Sequence, residues 1–243
     1  MTFEFPQYTG VKIGDYHTLD DWGLLLLSVD IPYPEPKTRT VELLGGDGNI
    51  DLTDALGGVK FNNRTVGFEF VLIDKSPLVW LETTSIIRNY CHGKKMKVIM
   101  DTDPSHYWEG RIFVTSTKED QIHSVVKIEV DAFPYKYDVL SSEDPWLWDP
   151  FSFLSGVIRT IGVLDITAQN NKVKIPSGTM PTVPVFNVSD MTQEMKVSYD
   201  SRLFSLRQGI NRFPQIVVGG EKEVELIFSG SGKVQISYRG GSL

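Results

Sequence analysis

The sequence predicts a mainly β protein in two parts, with a single α-helix in the first part. Short runs in which apolar and polar residues alternate are separated by turn residues along most of the chain. One stretch, about 76–92, has helical spacing instead, and the pattern changes in a polar segment that begins at Pro134. We therefore expect an α+β N-terminal domain over 1–138 and an antiparallel β-sandwich over 139–243.

The strands of the first part are predicted from period-two alternation. Between residues 65 and 72, for example, Val66, Phe68, Phe70 and Leu72 alternate with residues for the opposite face. The same criterion predicts six strands, at 24–31, 38–44, 65–74, 95–101, 107–116 and 124–133.

The helix has recognisable start and stop signals. Ser76 can cap it, Pro77 suits its first turn and Gly93 ends it. Its apolar positions, which we expect to cover the sheet, are Leu78, Leu81, Thr84 or Ser85, Ile87 and Cys91. Cys91 is thus predicted to be a buried, inert thiol.

The second part shows shorter strand patterns at the spacing typical of a sandwich. They lie at 156–167, 172–175, 182–188, 195–199, 202–206, 215–218, 224–228 and 233–238. The last two are predicted to pair as a closing hairpin across Ser229-Gly230-Ser231-Gly232.

Composition excludes several classes of protein. The net charge of -7 argues against a general nucleic-acid binder, and the short basic cluster at 92–97 suits the C-terminal end of the helix dipole. A single cysteine excludes an internal disulfide framework. Because the N-terminus lacks a signal pattern and no run approaches about 18 apolar residues, we expect synthesis in the cytoplasm and no membrane insertion.

Two clusters of ligand-type residues are candidates for metal or catalytic sites. Asp47-Gly-Asn-Ile-Asp51 has the spacing that opens a calcium loop, but Leu52 stands where glycine is needed and Gly58 where glutamate is needed. An Asx-stabilised turn is the better interpretation. Asp101-Thr-Asp103-Pro-Ser-His106 is dense in ligand-type side chains, yet its Asp-Pro step favours a turn between strands.

No enzyme motif accompanies these clusters. His17, His92 and His123 are isolated in the sequence, and Gly45-Gly46-x-Gly48 precedes a strand rather than a phosphate-binding helix. We therefore predict no catalytic residues, no cofactor, no metal site and no enzyme activity.

An aromatic group near the domain boundary admits two interpretations. Trp146, Trp148, Phe151 and Phe153 could stack on sugars or pack at the domain junction or a subunit contact. The packing role is favoured because these residues adjoin the boundary and alternate with prolines.

The stretch GDGNIDLTDALGGVKFNNRTVGFEF, residues 46–70, resembles the signature G-x-(I/L)-D-L-T-x-x-L-G-x-x-x-(F/Y)-x-N-R of phage distal tail (Dit) proteins. Residues 14–18, 22–24 and 234–241 are also similar to the ends of that family. The chain departs from the pattern at Leu44-Gly45-Gly46, where a more polar, often arginine-containing turn is expected, and this leaves the contacts of that segment open. Without a long insertion between Asp200 and Val224, an added receptor-binding module is not expected.

The resemblance implies a structural virion protein at the tail tip of a long-tailed, non-contractile phage (siphovirus) or prophage. Its N-terminal β-barrel or sandwich-like domain would form a six-membered ring, and its C-terminal domain would be a galectin-like or carbohydrate-binding-module-like sandwich. Implied partners are further copies of itself, the tail tube protein, tail-associated or tail-fibre proteins and receptor-binding baseplate proteins, with DNA passing through the channel without specific binding. Because a closed ring needs two complementary surfaces, the glycine-rich segment 32–58 and open strand edges are the candidate contacts.

A second class of function stays open from the sequence. A carbohydrate-binding protein would recognise host cell-wall glycans through the C-terminal sandwich, with Trp146 and Trp148 as stacking platforms. That alternative predicts a monomer.

Overall fold

A computed structural model describes residues 9–55, 57–74, 76–119, 124–145 and 157–243, with the side chains of 116–119 and 124 excluded. The chain divides into two compact units. The first unit comprises residues 1–103 and 108–135, and the second comprises 104–107 and 136–243.

The first unit is built on seven antiparallel strands in the order β2-β1-β7-β8-β9-β6-β3. A separate hairpin, β4-β5, lies between β3 and β6 in the chain. The elements are β1 (Val11–Ile13), β2 (Tyr16–His17), β3 (Leu24–Asp30), β4 (Thr40–Glu42), β5 (Asn49–Asp51), β6 (Arg64–Leu72), α1 (Pro77–Cys91), β7 (Lys95–Met100), β8 (Asp103–Glu119) and β9 (Ser124–Ala132).

The alternation along β6 produces the core of this unit. Val66, Phe68, Phe70 and Leu72 are buried on one face, as the sequence predicts, because successive side chains of a strand point to opposite faces. They pack with buried residues of β1, β7, β8, β9 and the helix in one apolar cluster.

The helix covers the sheet with a face that includes the predicted Thr84, Ile87 and Cys91 but not the predicted Leu78 and Leu81. Trp80, Thr84, Ile87 and Cys91 are buried, whereas Leu78 is 65% exposed and Leu81 is 61% exposed. The prediction of Leu78 and Leu81 was wrong because both faces carry large apolar residues, so spacing alone did not select between them. Ser76 holds the N-cap position without a side-chain capping bond, and its N–H donates to Asp74 Oδ1 over 2.8 Å.

The second unit contains two four-stranded antiparallel sheets, β11-β18-β13-β16 and β12-β17-β14-β15. Their inner faces share one apolar core that includes Phe186, Val234, Val197 and Phe228, so the sheets form a sandwich. The strands are β10 (Lys136–Asp138), β11 (Val163–Ile166), β12 (Lys172–Ile175), β13 (Val185–Ser189), β14 (Met195–Tyr199), β15 (Arg202–Leu206), β16 (Gly209–Arg212), β17 (Val224–Ser229), β18 (Gly232–Ser237) and β19 (Gly241–Ser242).

The predicted closing hairpin is wrong. β17 pairs with β12 and β14, whereas β18 pairs with β11 and β13, so the chain crosses from one sheet to the other at Gly230-Ser231. Gly230 has φ +95°, and a Cβ there would lie 2.3 Å from the Glu194 carbonyl oxygen. Strand pattern and turn residues are the same for a hairpin and for a crossing between sheets, so the sequence did not separate them.

Two further strand predictions need correction. The run 215–218 is not a strand, although Val218 makes an isolated bridge with Thr182, and the strand in this region is β16. The turn expected over 101–106 is confined to Asp101-Thr102, because β8 already begins at Asp103. The predicted mainly β class with antiparallel sheets is confirmed, and α1 is the one helix in the described residues.

Candidate functional site

The most exposed feature of the first unit is the segment 35–60, here called the arm, which connects β3 to β6. Its central hairpin pairs Val41 with Ile50 and Glu42 with Asn49. Every described residue of the arm is exposed except Thr53, which is half-buried. An ordered hairpin with so little burial gains little stability from its own chain.

Main-chain bonds close the root of the arm. The Lys37 N–H donates to the Lys60 carbonyl over 2.6 Å, and the Asn62 N–H donates to the Glu35 carbonyl over 2.8 Å. Pro36 and Phe61 form an isolated antiparallel bridge between these bonds. The two ends of the arm are therefore held side by side at its root.

The D-L-T part of the sequence signature shapes the base of the hairpin. Asp51 Oδ1 accepts the Thr53 N–H over 2.8 Å. Hydrogen bonds from the Thr53 side chain and main chain lower the pKa of the Asp51 carboxyl. Thr53 Oγ1 accepts the Arg39 N–H over 3.1 Å, and the Leu52 N–H donates to the Arg39 carbonyl over 2.8 Å. The Asp51 carboxylate therefore bonds to the main chain rather than to a ligand, as an Asx turn does.

The N-R part of the signature lies beneath the arm. Asn63 Nδ2 donates to Asp131 Oδ1 over 3.2 Å, and Arg64 Nη1 donates to the Pro32 carbonyl over 3.3 Å. The Arg64 guanidinium carbon lies 4.0 Å from the centre of the Trp108 ring. Arg64 thus fixes the chain where it leaves β3, and sequence reasoning missed it because no local pattern links Arg64 to Trp108.

The buried Arg64 guanidinium is incompletely bonded. Its Nε and Nη2 have no hydrogen-bond partner in the described structure, and burial lowers the pKa of the Arg64 guanidinium. Because an unpaired buried polar group costs stability, Arg64 carries an energetic cost in the fold. Its position at the root of the arm is consistent with a role in aiming the arm.

The arm carries apolar and acidic side chains at its far end. Leu44 is fully exposed, and Leu43, Val41 and Ile50 are each more than 40% exposed. Between Thr40 and Ala55 the charged residues are Glu42, Asp47, Asp51 and Asp54, with no lysine or arginine. Exposed aliphatic groups on an ordered arm are typical of a surface that is covered in an assembly.

Two other exposed apolar surfaces belong to the same unit. β3 is the last strand of the sheet in the described residues and carries Leu27, which is 54% exposed, and Val29. Its outer edge is bonded at Leu24 to the Thr18 carbonyl and at Leu26 to the Thr9 carbonyl, and beyond Leu26 it has no further main-chain partner in the described residues. The outer face of α1 carries Leu78 and Leu81. An unpaired strand edge can be extended by a strand from a neighbouring chain.

The ligand-type residues of the 101–106 segment separate in the structure. His17 Nε2 lies 3.1 Å from Asp101 Oδ1, and His17 Nδ1 lies 3.1 Å from Asp20 Oδ2. His106 belongs to the second unit, where its Nε2 lies 3.4 Å from Asp138 Oδ1. Within the described residues, no three His, Cys, Asp or Glu side chains are grouped as metal ligands.

The remaining candidates have structural contacts or lie outside the described residues. Cys91 is fully buried, its Sγ donates to the Ile87 carbonyl over 3.0 Å, and burial raises its pKa to about 11, so the buried-thiol prediction is confirmed. His92 Nδ1 accepts the Val114 N–H over 3.0 Å. The group Trp146, Trp148, Phe151 and Phe153 lies outside the described residues, as does His123.

In the part of the chain that the structure describes, no helix is long and apolar enough to cross a membrane. Neither the protein-family models nor the curated proteins give a match to this chain.

A solved structure has the same fold. It is the crystal structure of the SPP1 Dit protein (gp 19.1), described as a paradigm of the hub adsorption apparatus in phages that infect Gram-positive bacteria. The two chains superpose with a TM-score of 0.63 at 11% identity, and the match covers 96% of this chain and 99% of that chain. This chain therefore has the fold of a phage hub protein over almost its whole length, in agreement with the resemblance found in the sequence.

Proposed function

We propose that this protein is a structural distal tail protein of a long-tailed, non-contractile phage or prophage. It forms a ring, with six subunits, that joins the tail tube to the tail-tip and receptor-binding apparatus and leaves a channel for DNA. The observation that carries the proposal is the fold match over 96% of the chain to a hub protein. Because one fold supports many functions, the exposed arm is needed as a second, independent support.

The arm suits a ring contact. Closed rings are made by heterologous contacts, in which one surface of a subunit meets a different surface of the next. The arm supplies one such surface, with its exposed Leu43, Leu44 and Ile50, and the β3 edge beyond Leu26 and the outer face of α1 supply others among the described residues of the same unit. Burial of these aliphatic groups in a subunit contact would stabilise the hairpin, which is not buried within the monomer.

The two compact units have different roles in this proposal. The first unit is the ring-forming domain, and the second is a peripheral galectin-like sandwich that faces other tail proteins. In this proposal both units act in assembly and not in catalysis, in keeping with the description of the SPP1 protein as part of a hub adsorption apparatus. The ring allows DNA to pass without specific binding, consistent with a net charge of -7.

Sedimentation velocity combined with negative-stain microscopy tests the proposal. We expect rings of six copies, either alone or after mixing with the tail tube protein. A matched variant in which residues 40–51 are replaced by a short Gly-Ser link should stay folded and monomeric. A protein that remains monomeric at high concentration with and without the tail tube protein would contradict the proposal, and glycan binding lost in Trp146→Ala would then support the carbohydrate-binding alternative.

A further inference from the structure

Two of the sheet edges in the second unit lie side by side and have no strand partner among the described residues, which exclude 146–156. β15 is the last strand of one four-stranded sheet and β16 is the last strand of the other. Only Arg207 and Gln208 separate them in the chain, so the two edges are adjacent. Alternate residues of an edge strand turn their N–H and C=O groups away from the sheet, where another strand can pair with them.

The link between these edges is fixed by hydrogen bonds. The Arg207 N–H donates to Asn211 Oδ1 over 2.9 Å, and Asn211 Nδ2 donates to the carbonyls of Arg207 and Gly209 over 2.7 and 2.9 Å. Asn211 is buried, and Gly209 has φ +89°. The edge is therefore preorganised, which lowers the entropy cost of binding a partner.

This edge carries unpaired positive charge on an acidic protein. Arg202, Arg207 and Arg212 are exposed, and the segment 201–220 contains no aspartate or glutamate. Among the described residues, no carboxylate forms an ion pair with these three guanidinium groups. Elsewhere in the unit, three lysines each pair with a neighbouring carboxylate: Lys174 with Glu223, Lys196 with Glu194 and Lys233 with Asp190.

Exposed aliphatic residues accompany the arginines. Ile210 is 80% exposed and Leu203 is 69% exposed. On β16, Ile210 and Arg212 are two residues apart and so lie on the same face of the strand. The edge thus offers main-chain hydrogen bonds, apolar contact and guanidinium groups together.

We propose that β16 binds an extended acidic segment of a partner protein, which adds a fifth strand to the sheet β11-β18-β13-β16. Carboxylates of the partner would meet Arg207 and Arg212, and an apolar side chain would cover Ile210. A phosphate polymer would satisfy the arginines but would leave the strand edge and Ile210 unused, so a peptide fits all three features. This inference does not depend on ring formation, because it concerns the second unit by itself.

Fluorescence anisotropy on the full chain tests the proposal. The probe is a labelled peptide of about ten residues in which glutamate alternates with valine and threonine. We expect binding that falls at least about tenfold in R207Q/R212Q and weakens with salt, because exposed charges are screened. Lys172→Gln, which removes a charge from β12 at the opposite edge of the other sheet, should bind as the wild type does. A peptide with lysine in place of glutamate should not bind.

Hydrogen exchange distinguishes strand addition from simple charge attraction. Bound peptide should protect main-chain amides within Gly209–Arg212 and leave those of β12 unchanged. Equal affinity in R207Q/R212Q, or protection elsewhere in the chain, would overturn the proposal. Arginine-dependent binding of poly(glycerol phosphate) without binding of the acidic peptide would replace it with a polyanion site.

Discussion

Leu44 provides the sharpest test of the proposed ring, because it separates assembly from folding. Its side chain is fully exposed in the isolated chain and lies at the turn end of the arm, beyond the last residue of β4. Replacing Leu44 with aspartate therefore removes no contact from the folded monomer. Gly45 and Gly48, with φ values of +80° and +76°, keep the turn conformation in the variant.

The expected size of the effect follows from burial. Covering a leucine side chain at an interface contributes about 1.5–3 kcal/mol, so Leu44→Ala should weaken each subunit contact by roughly tenfold to a hundredfold. Leu44→Asp should weaken it further, because an unpaired carboxylate would be buried. Since every contact of a ring is changed together, the aspartate variant should be monomeric at concentrations where the wild type assembles.

Sedimentation velocity measures the assembly, and urea denaturation of the dilute monomer measures the fold. Val163→Asp is a matched control, since Val163 is 58% exposed and lies in the second unit, outside the proposed ring contact. The control should assemble normally. Rings of normal stability in Leu44→Asp, or a loss of monomer stability greater than about 0.5 kcal/mol, would refute the role given to the arm.

Three further predictions concern stability and reactivity. Gly230→Ala should lower the free energy of unfolding by at least about 2 kcal/mol in urea denaturation, because Gly230 has a left-handed backbone and the new Cβ would clash with the Glu194 carbonyl. Gly220→Ala, whose Cβ would have no neighbour nearer than 3.9 Å, should change the free energy of unfolding little. Equal effects of the two substitutions would count against this explanation. The pKa of Cys91 is raised from 9.0 to about 11, so at pH 8 its thiolate fraction is about 100-fold below that of a free cysteine and it should react with a water-soluble thiol reagent about 100-fold more slowly. Its contribution to stability should be lost as the pH rises from about 9 toward 11. Rapid labelling of the native protein, or the same pH slope in Cys91→Ala, would contradict this prediction. Hydrogen bonds from the Ser141 N–H and Oγ lower the pKa of the Asp144 carboxyl. The urea midpoint of Asp144→Asn should therefore lie below that of the wild type at pH 7, and the difference should vanish as the pH falls through that lowered pKa. A difference that persists in acid would show that the charge is not responsible.

The sequence predicted the buried face correctly for those elements in which only one face is apolar. Along β6, period-two alternation leaves one apolar face, so the buried residues Val66, Phe68 and Phe70 follow directly. On the helix, Ile87 and Cys91 are buried as predicted, but the first turns offered two apolar faces and the structure buries Trp80 rather than Leu78 and Leu81. Only the shape of the sheet beneath the helix selects between them.

The candidate site divides in the same way. The glycine-rich turn and the Asx turn expected over residues 47–51 are local features, and the observed bond of this kind joins Asp51 to Thr53, two residues apart. The contacts of Arg64 with Pro32 and Trp108, and of His17 with Asp101, join residues far apart in the chain. No single-sequence pattern specifies such partners.

The sequence by itself determined a mainly β protein with one helix, a glycine-rich arm shaped by an Asx turn, and no recognisable catalytic motif, because each of these rests on local periodicity or local hydrogen bonding. The tertiary structure decided which helix face is buried, that β17 and β18 belong to different sheets, and that Arg202, Arg207 and Arg212 lie along adjacent open edges. These depend on which distant segments pair and pack. Strand pairing and core packing are cooperative properties of the whole fold, and the same local pattern is compatible with several of their solutions.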